Sequence, residues 1–261
     1  MIPKEPRFRL LLAVAIAALV ITVFTVGLGP SEPTFQGKRL NFWLEQYKSN
    51  LIAGGDAEKI ASREAAKSAV RQIGSNAIPH LLEMLRETDS TALRKCFGWL
   101  RDRRLGRYSK PAWARNAEAV AGFQVLGTEA KGAVSALVKI YDQNLSPSSR
   151  SAAAESLGAI GPAARAALPS LLTTALNSND AARVYAIDAL GQIHSDAGTV
   201  VPALINCLTD GKPGIRAVAA RALGYFGSNA QQAIPELSKL LEDQDRSIRK
   251  AAEQAMRQIC P

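Results

Sequence analysis

Histidine and cysteine are the residues of this chain best able to hold a metal, and both are scarce. The 261-residue chain contains His80, His194, Cys96, Cys207 and Cys260 and no other member of either type. An odd number of cysteines without a short spacing provides neither a disulfide framework nor a zinc site. One histidine follows a proline at a predicted helix start and the other lies in a predicted turn, so we interpret both as structural. We therefore expect no metal and no cofactor.

Acidic residues offer a second kind of chemistry, acid/base catalysis. Glu242, Asp243 and Asp245 lie together before a predicted helix, where a solvated face and an N-cap explain them better than a catalytic pair. Asp180, Asp210 and Asp245 each precede an arginine, and we expect them to form a ladder of ion pairs with these arginines. No set of converging titratable groups is visible in the sequence, so we predict no catalytic residue and no enzyme.

Positive charge is concentrated in one segment. The formal net charge is +9, and residues 94–115 alone carry eight basic residues against one acidic residue. Aromatic residues alternate with these cations, a mixture able to bind anions while the rings anchor at an interface. A structural alternative stays open, in which the rings pack on the fold and the charges are solvated. The candidate contacts for an anion or a partner are Arg94, Lys95, Trp99, Arg101, Arg103, Arg104, Arg107, Tyr108, Lys110 and Trp113.

An uncharged apolar stretch near the amino terminus predicts a transmembrane anchor. Residues 10–28 are nineteen residues without a charge, and a helix of that length spans about 28 Å, close to the thickness of the hydrocarbon core. The basic residues of the tail, residues 1–9, precede the span, so we expect the tail in the cytoplasm and the rest outside. The alternative is a signal peptide that is cleaved and leaves the chain secreted.

Two short segments follow the predicted anchor. Residues 29–40 form a polar linker. Residues 41–57 are predicted to form a capping helix and a loop, with Asn41 as N-cap and Trp43, Leu44 and Tyr47 on one apolar face. From residue 58 to residue 261 we expect a helical domain that carries the basic segment as an insertion at about residues 90–114.

A regular repeat organises this domain. Arginines recur at positions 150, 183, 216 and 249, at intervals of 33 residues, and Arg63 occupies the same place in an earlier copy. Asn116 takes this place in the second copy. We call Arg63, Arg150, Arg183, Arg216 and Arg249 the repeat arginines and expect a structural role for them. Three positions after each of these residues stands an alanine: Ala66, Ala119, Ala153, Ala186, Ala219 and Ala252.

Each copy predicts a pair of helices. The first helix has small residues where another helix must approach closely, a glycine marks the turn, and a proline begins the second helix, where its missing N–H costs nothing. Neither helix buries its apolar stripe alone, whereas stacked pairs form a continuous core. The predicted fold class is all-α: an α-solenoid of helix pairs, preceded by one transmembrane helix.

The repeated pattern resembles a known family. The sequence R-x-x-A-A-x-x-L-G-x-I-G, followed by A-x-P-x-L-x-x-L-L, in residues 150–175, 183–208 and 216–241 resembles HEAT repeats of the short, bacterial, PBS-lyase-like kind. The resemblance covers about residues 58–260. Together with the anchor, the lead-in of residues 36–44 and the basic insertion, it resembles anchored bacterial HEAT-repeat proteins of unassigned function. It implies a scaffold for protein interaction and no reaction.

Some members of this repeat class are enzymes, either bilin lyases or di-iron deoxyhypusine hydroxylases. The hydroxylases need several His-Glu pairs to hold two metals, whereas the two histidines here are followed by Leu81 and Ser195. An enzyme or chromophore-lyase-like member of the class remains an alternative. A further alternative is a binder of anionic lipid headgroups, since the basic insertion lies close to the predicted anchor.

The second helices of such a solenoid are expected to line its concave face. The candidate residues of that face have mixed charge, which disfavours nucleic acid as a partner and suits a folded protein or a peptide. We therefore predict a membrane-tethered HEAT-repeat scaffold that binds another protein outside the cytoplasm, in the bacterial inner membrane. The candidate concave residues are His80, Glu83, Lys139, Ser170, Thr173, Asn206, Glu236 and Lys239.

Overall fold

The computed structural model of the chain describes residues 31–49, 57–88 and 110–260. The chain divides into two units, residues 1–32 and residues 33–261, and the following description concerns the second. No helix within the described residues is long and apolar enough to cross a membrane. The predicted anchor, residues 10–28, lies outside the described residues.

A short hairpin opens the second unit, where the sequence predicted a polar linker. Strands β1 (Thr34–Phe35) and β2 (Lys38–Arg39) pair antiparallel. Gln36 and Gly37 between them have φ values of +50° and +72°, the left-handed backbone that a two-residue hairpin turn requires. Helix α1 (Leu40–Ser49) follows directly. The predicted linker thus contains a hairpin, which composition alone does not indicate because it depends on two adjacent residues with positive φ.

Helix α1 caps the stack as predicted. Trp43, Leu44 and Tyr47 are buried, and Leu40 joins them. Asn41 is not the N-cap, since the helix already begins one residue earlier. Its side-chain Oδ1 instead lies 3.3 Å from Nε2 of His80.

Helix pairs make up the rest of the described unit. First helices and second helices alternate along the chain, and the helices are numbered over the described residues. The first helices are α2 (Ala57–Ile73), α4 (Ala112–Leu126), α6 (Pro147–Ile160), α8 (Arg183–Ile193), α10 (Pro213–Tyr225) and α12 (Arg246–Ile259). The second helices are α3 (Ile78–Arg86), α5 (Val134–Gln143), α7 (Leu168–Leu176), α9 (Ala197–Cys207) and α11 (Ile234–Leu240). The described helices form a solenoid-like repeat fold, which confirms the all-α prediction for this part of the chain.

The repeated alanines lie inside the stack. All six have no exposed surface, in keeping with positions where helices meet. A larger side chain there would push the helices apart, which explains why the same small residue recurs in every copy.

The turns between the paired helices also follow the repeat. The glycines at the turn, Gly74, Gly127, Gly161 and Gly227, have φ values of +52° to +72°, a conformation that only glycine adopts without strain. His194 takes the same place at φ +32°. Its Nδ1 lies 2.8 Å from the Gln192 carbonyl oxygen.

Proline begins the second helix in α3, α7 and α11 as predicted, but not in α9. Pro202 lies inside α9 because this helix starts early, at Ala197. In the other described copies a 3-10 turn precedes the second helix, whereas here Asp196 adopts a left-handed conformation and α9 follows it at once. Pro202 is exposed, so the carbonyl that it leaves without a helical partner can meet water.

Candidate interaction surface

The repeat arginines tie neighbouring copies together. Arg150 Nη1 lies 2.8 Å from Asp180 Oδ2, and Arg183 Nη1 lies 2.6 Å from Asp210 Oδ2. The third pair is Arg216 with Asp243, at 2.9 Å. Each pair joins a first helix to the loop before the next first helix.

The third acid of the ladder differs from the prediction. Asp245 instead caps α12, and its Oδ1 accepts a hydrogen bond of 2.7 Å from the Ser247 amide. Asp243, which follows Asp210 by the repeat interval, takes the place opposite the arginine. Asp243 lies six residues before Arg249, as Asp210 lies six residues before Arg216.

The residues at the repeat-arginine position also satisfy backbone carbonyls. Arg183 Nε donates to the Ala175 carbonyl at 2.9 Å, and Arg249 Nη1 donates to the Asp243 carbonyl at 2.6 Å. Asn116, which replaces the arginine in the second copy, donates to the Met84 carbonyl at 2.7 Å. These donors bind carbonyl groups in or just after the last turn of the second helices, where a helix leaves carbonyls without a helical partner.

Two of the repeat arginines, Arg63 and Arg150, also contact aromatic rings. The guanidinium of Arg63 lies 5.2 Å from the ring centre of Tyr47, and that of Arg150 lies 4.8 Å from the ring centre of Tyr141. Both distances allow a cation–π interaction. All five repeat arginines thus make contacts within the fold.

Three aspartates in the loops before α10 and α12, Asp210, Asp243 and Asp245, have lowered pKa values. Burial alone raises the pKa of Asp210, yet hydrogen bonds from the Lys212 amide and the Arg183 guanidinium outweigh it and hold this pKa below its ordinary value. The Asp245 amide is the main cause of the lowered pKa of Asp243, and the Ser247 hydroxyl is the main cause for Asp245.

We expect the stability of the chain to fall in acid. An aspartate with a lowered folded-state pKa stabilises the fold above its unfolded-state pKa of about 3.9, and this contribution is lost as pH falls through the folded-state pKa. Asp210→Asn should therefore lower the Tm at neutral pH and flatten the decline of Tm between about pH 4 and pH 2. Parallel Tm curves for the parent and the variant would contradict this assignment.

The candidate residues of the second helices form a polar, mostly self-satisfied surface. Lys139, Thr173, Asn206 and Lys239 are exposed, and the other four are partly buried. Several contact their neighbours: Lys239 Nζ lies 2.7 Å from Glu236 Oε1, Ser170 Oγ lies 3.3 Å from Asp142 Oδ2, and His80 Nδ1 lies 3.9 Å from Glu83 Oε2.

The first helices approach one another more closely than the second helices do. A Cβ atom on Gly158, Gly191 or Gly224 would lie 3.2, 2.7 or 3.2 Å from the Cα of an alanine on the next first helix. Contacts between successive second helices are sparser. The first helices therefore form a tightly packed layer, and the concave placement of the second helices stays a prediction.

A groove of about 360 Å³ lies on this first-helix layer, between α1, α4 and α6. We call it the α4–α6 groove. Its surface is largely made of small side chains, and Trp113 at its edge is 61% exposed. The groove is lined by Lys48, Trp113, Asn116, Ala117, Val120, Ala121, Gln124, Ser148, Ser151, Ala152 and Glu155.

Further exposed rings and paired charges continue along the first helices. Tyr185 on α8 and Tyr225 on α10 are 39% and 45% exposed. Asp188 on α8 accepts from Arg221 Nη2 at 2.8 Å and from Gln192 Nε2 at 2.7 Å. Sequence reasoning did not select these residues, because it assigned the concave face to the other helix of each pair.

The basic insertion is described only at its end. The candidates Arg94, Lys95, Trp99, Arg101, Arg103, Arg104, Arg107 and Tyr108 lie outside the described residues. Lys110 joins α1 to α4, because its Nζ lies 2.7 Å from Glu118 Oε1 and 3.1 Å from Glu45 Oε2. Burial lowers the pKa of Lys110, but these two carboxylates outweigh it and raise the pKa overall. Lys110 therefore contacts acids of the fold rather than an external anion, while Trp113 faces the groove.

Among the described residues, no group of three His, Cys, Asp or Glu side chains is placed to hold a metal ion. Cys207 is buried, and this burial raises the pKa of its thiol. Cys260 is exposed and Cys96 lies outside the described residues.

Comparison with known proteins yields one family match. A family model described as HEAT repeats matches residues 168–257. No curated protein matches the chain.

Several solved structures resemble the fold. An engineered protein solved by crystallography shares 20% identity at a TM-score of 0.49, over 84% of this chain and 96% of that chain. A designed armadillo repeat protein in complex with the peptide (KR)4 shares 16% identity at a TM-score of 0.44, over 85% and 100%. Human deoxyhypusine hydroxylase shares 16% identity at a TM-score of 0.26, over 72% and 98%.

With TM-scores below 0.5, these likenesses carry no argument about function. The family match is informative for the segment that it covers, which begins at the first residue of α7 and ends within α12. This is the part of the chain in which the arginine and alanine repeats are most regular. Residues 168–257 are therefore similar to HEAT repeats.

Proposed function

We propose that this chain is a membrane-tethered scaffold whose first-helix layer binds another protein outside the cytoplasm. The observation that carries the proposal is that three first helices expose aromatic rings, Trp113, Tyr185 and Tyr225. Large aromatic side chains are enriched where proteins bind one another, because they bury much apolar surface at a small cost in conformational entropy. HEAT-repeat scaffolds are suited to this role, since stacked helix pairs present an extended surface.

The sequence supports the membrane attachment and the orientation. Residues 10–28 are long and apolar enough to span the bilayer, and the basic residues precede them. These features support the bacterial inner membrane as the location, with the repeats on the outer side. Cleavage after the apolar stretch remains the alternative and would leave the same repeats in the periplasm.

The proposal includes no catalytic step. We leave out a catalytic step because histidine and cysteine are scarce in the sequence and because the charged residues that recur along the repeats make structural contacts. A purified chain that carried stoichiometric iron or bound a bilin would favour the enzymatic alternative instead. Binding of anionic lipid headgroups by the basic insertion stays a prediction.

A single labelling experiment tests orientation and partner binding together. In a full chain with Cys96, Cys207 and Cys260 replaced, a new cysteine is placed at Tyr225 on the first-helix layer. Spheroplasts are then treated with a membrane-impermeant maleimide that carries a photo-crosslinker. The matched control places the cysteine at Thr173, which is exposed on the second-helix layer.

We expect the impermeant reagent to label both cysteines, and we expect light to crosslink a partner protein from position 225 alone. Labelling only after lysis would contradict the proposed orientation. Equal crosslinking from both positions would contradict the assignment of the binding face. If neither position captures a protein, the scaffold proposal itself fails.

A further inference from the structure

The α4–α6 groove contains a carboxylate that has no partner among the described residues. Glu155 lies in the middle of α6 and is partly buried. Within the described residues it makes no hydrogen bond and no ion pair. Burial, followed by the charge of Asp188, raises the pKa of this carboxyl, and Lys48 lowers it by less. A carboxylate in such a place gains more from an incoming cation than one that is fully hydrated.

The other charged groups on and beside the groove are better satisfied. Asp188 contacts Arg221 and Gln192, and Glu118 contacts Lys110. Lys48 lies in the last turn of α1, where the carbonyl end of the helix stabilises a positive charge. Glu155 receives no such help, because it lies in a helix interior.

The size and the surface of the groove limit what it can bind. A volume of about 360 Å³ lies at the lower end of ligand sites, and it holds a few side chains rather than a large cofactor. Ala117, Ala121 and Ala152 leave room above the helices, and Trp113 offers a large exposed ring at the edge. An apolar side chain on the ring and a polar group at Glu155 would use both features.

We propose that the α4–α6 groove binds a segment of the partner protein that places a lysine or arginine side chain at Glu155 and an apolar side chain against Trp113. The inference rests on the scaffold function proposed above and adds the chemistry of the partner. An acidic segment would meet Glu155 with Asp188 behind it, and like charges in a partly buried groove repel one another. Among the described lining residues the opposing charge is Lys48, which already lies at a helix end.

Peptide selection on the intact protein tests this inference. The full chain in lipid nanodiscs is used to select binders from a phage-displayed library of random 12-residue peptides. The enriched peptides are then synthesised with a fluorophore, and their Kd values are measured by fluorescence polarisation. Variants of the chain are Glu155→Gln, Trp113→Ala and Lys48→Gln. Glu129→Gln and Lys131→Gln serve as matched controls, because both residues are exposed on a turn and do not line the groove.

We expect enriched peptides to contain lysine or arginine next to a large apolar residue. Glu155→Gln and Trp113→Ala should each raise Kd about tenfold, the size typical of a charge-assisted hydrogen bond and of a buried aromatic anchor. Lys48→Gln should lower Kd about twofold, since it removes a charge that repels the cation. A gain of affinity cannot come from a damaged fold, so this variant keeps the test independent of stability.

Other results overturn the inference. Enriched peptides that are acidic, a Kd of Glu155→Gln equal to that of Glu129→Gln, or a library that yields no binder would each do so. An opposite pattern, with Lys48→Gln weakening binding, would assign an acidic segment to the groove. If position 225 crosslinks a protein while peptide binding ignores Glu155, the scaffold function stands and the groove assignment alone fails.

Discussion

Replacing Arg183 with methionine is expected to lower the free energy of unfolding by about 3 kcal/mol. Arg183 is 5% exposed, and its two hydrogen bonds reach different copies of the repeat: Nε to the Ala175 carbonyl and Nη1 to Asp210. Methionine keeps much of the volume but leaves a carboxylate and a carbonyl without their donor. The loss comes mainly from the partners that stay behind, since a buried charge without its counter-ion is strongly destabilising.

Urea unfolding of the full chain in detergent, followed by circular dichroism, measures this effect. Arg221→Met is the matched control. It removes an ion pair of 2.8 Å with Asp188 in which the arginine side chain is 46% exposed, and exposed pairs contribute about 0–1 kcal/mol. Arg183→Lys should fall between the two, because lysine keeps the charge but cannot donate in both directions. Equal losses for the two methionine variants would show that Arg183 does not join the repeats.

Much of the fold could be predicted because each repeat faces the same physical problem. A first helix must contact the next first helix at short distance, so alanine recurs three positions after every residue at the arginine position and is buried in all six copies. The turn after it must adopt positive φ, so glycine recurs there in four described copies. A packing or backbone constraint that recurs in every copy therefore produces a periodic pattern of residue types in the sequence.

The features that the sequence did not indicate depend on single residues rather than on the period. The hairpin before α1 needs positive φ at both Gln36 and Gly37. The start of α9 depends on the left-handed conformation of Asp196. Neither glutamine nor aspartate requires a left-handed conformation, so the residue type does not predict it.

The candidate groove could not be predicted because its parts are distant in the sequence. Lys48, Trp113 and Glu155 come from three different helices and meet only when these helices pack. One signal for the groove was present in the sequence. The residue five positions after the arginine position differs between successive copies: it is Ala121, Glu155, Asp188 and then Arg221.

Replacing Gly191 with alanine is expected to destabilise the chain by about 2 kcal/mol, although alanine is the better helix former. A Cβ atom at this position would lie 2.7 Å from both Cα and Cβ of Ala222 and 3.1 Å from the ring of Tyr225. The ring can move, but the backbone of α10 cannot retreat without separating two first helices. The overlap should therefore outweigh the gain in helix propensity of about 1 kcal/mol.

Gly198→Ala provides the control with the opposite sign. Gly198 lies in α9, is exposed, and would have no atom within 4 Å of an added Cβ. The same substitution should there raise stability by roughly 0.5–1 kcal/mol, because alanine loses less backbone freedom on folding. Urea midpoints that move in opposite directions would show that close packing of the first helices, rather than glycine itself, determines the effect. If both variants stabilise the chain, α8 and α10 do not pack as closely as described.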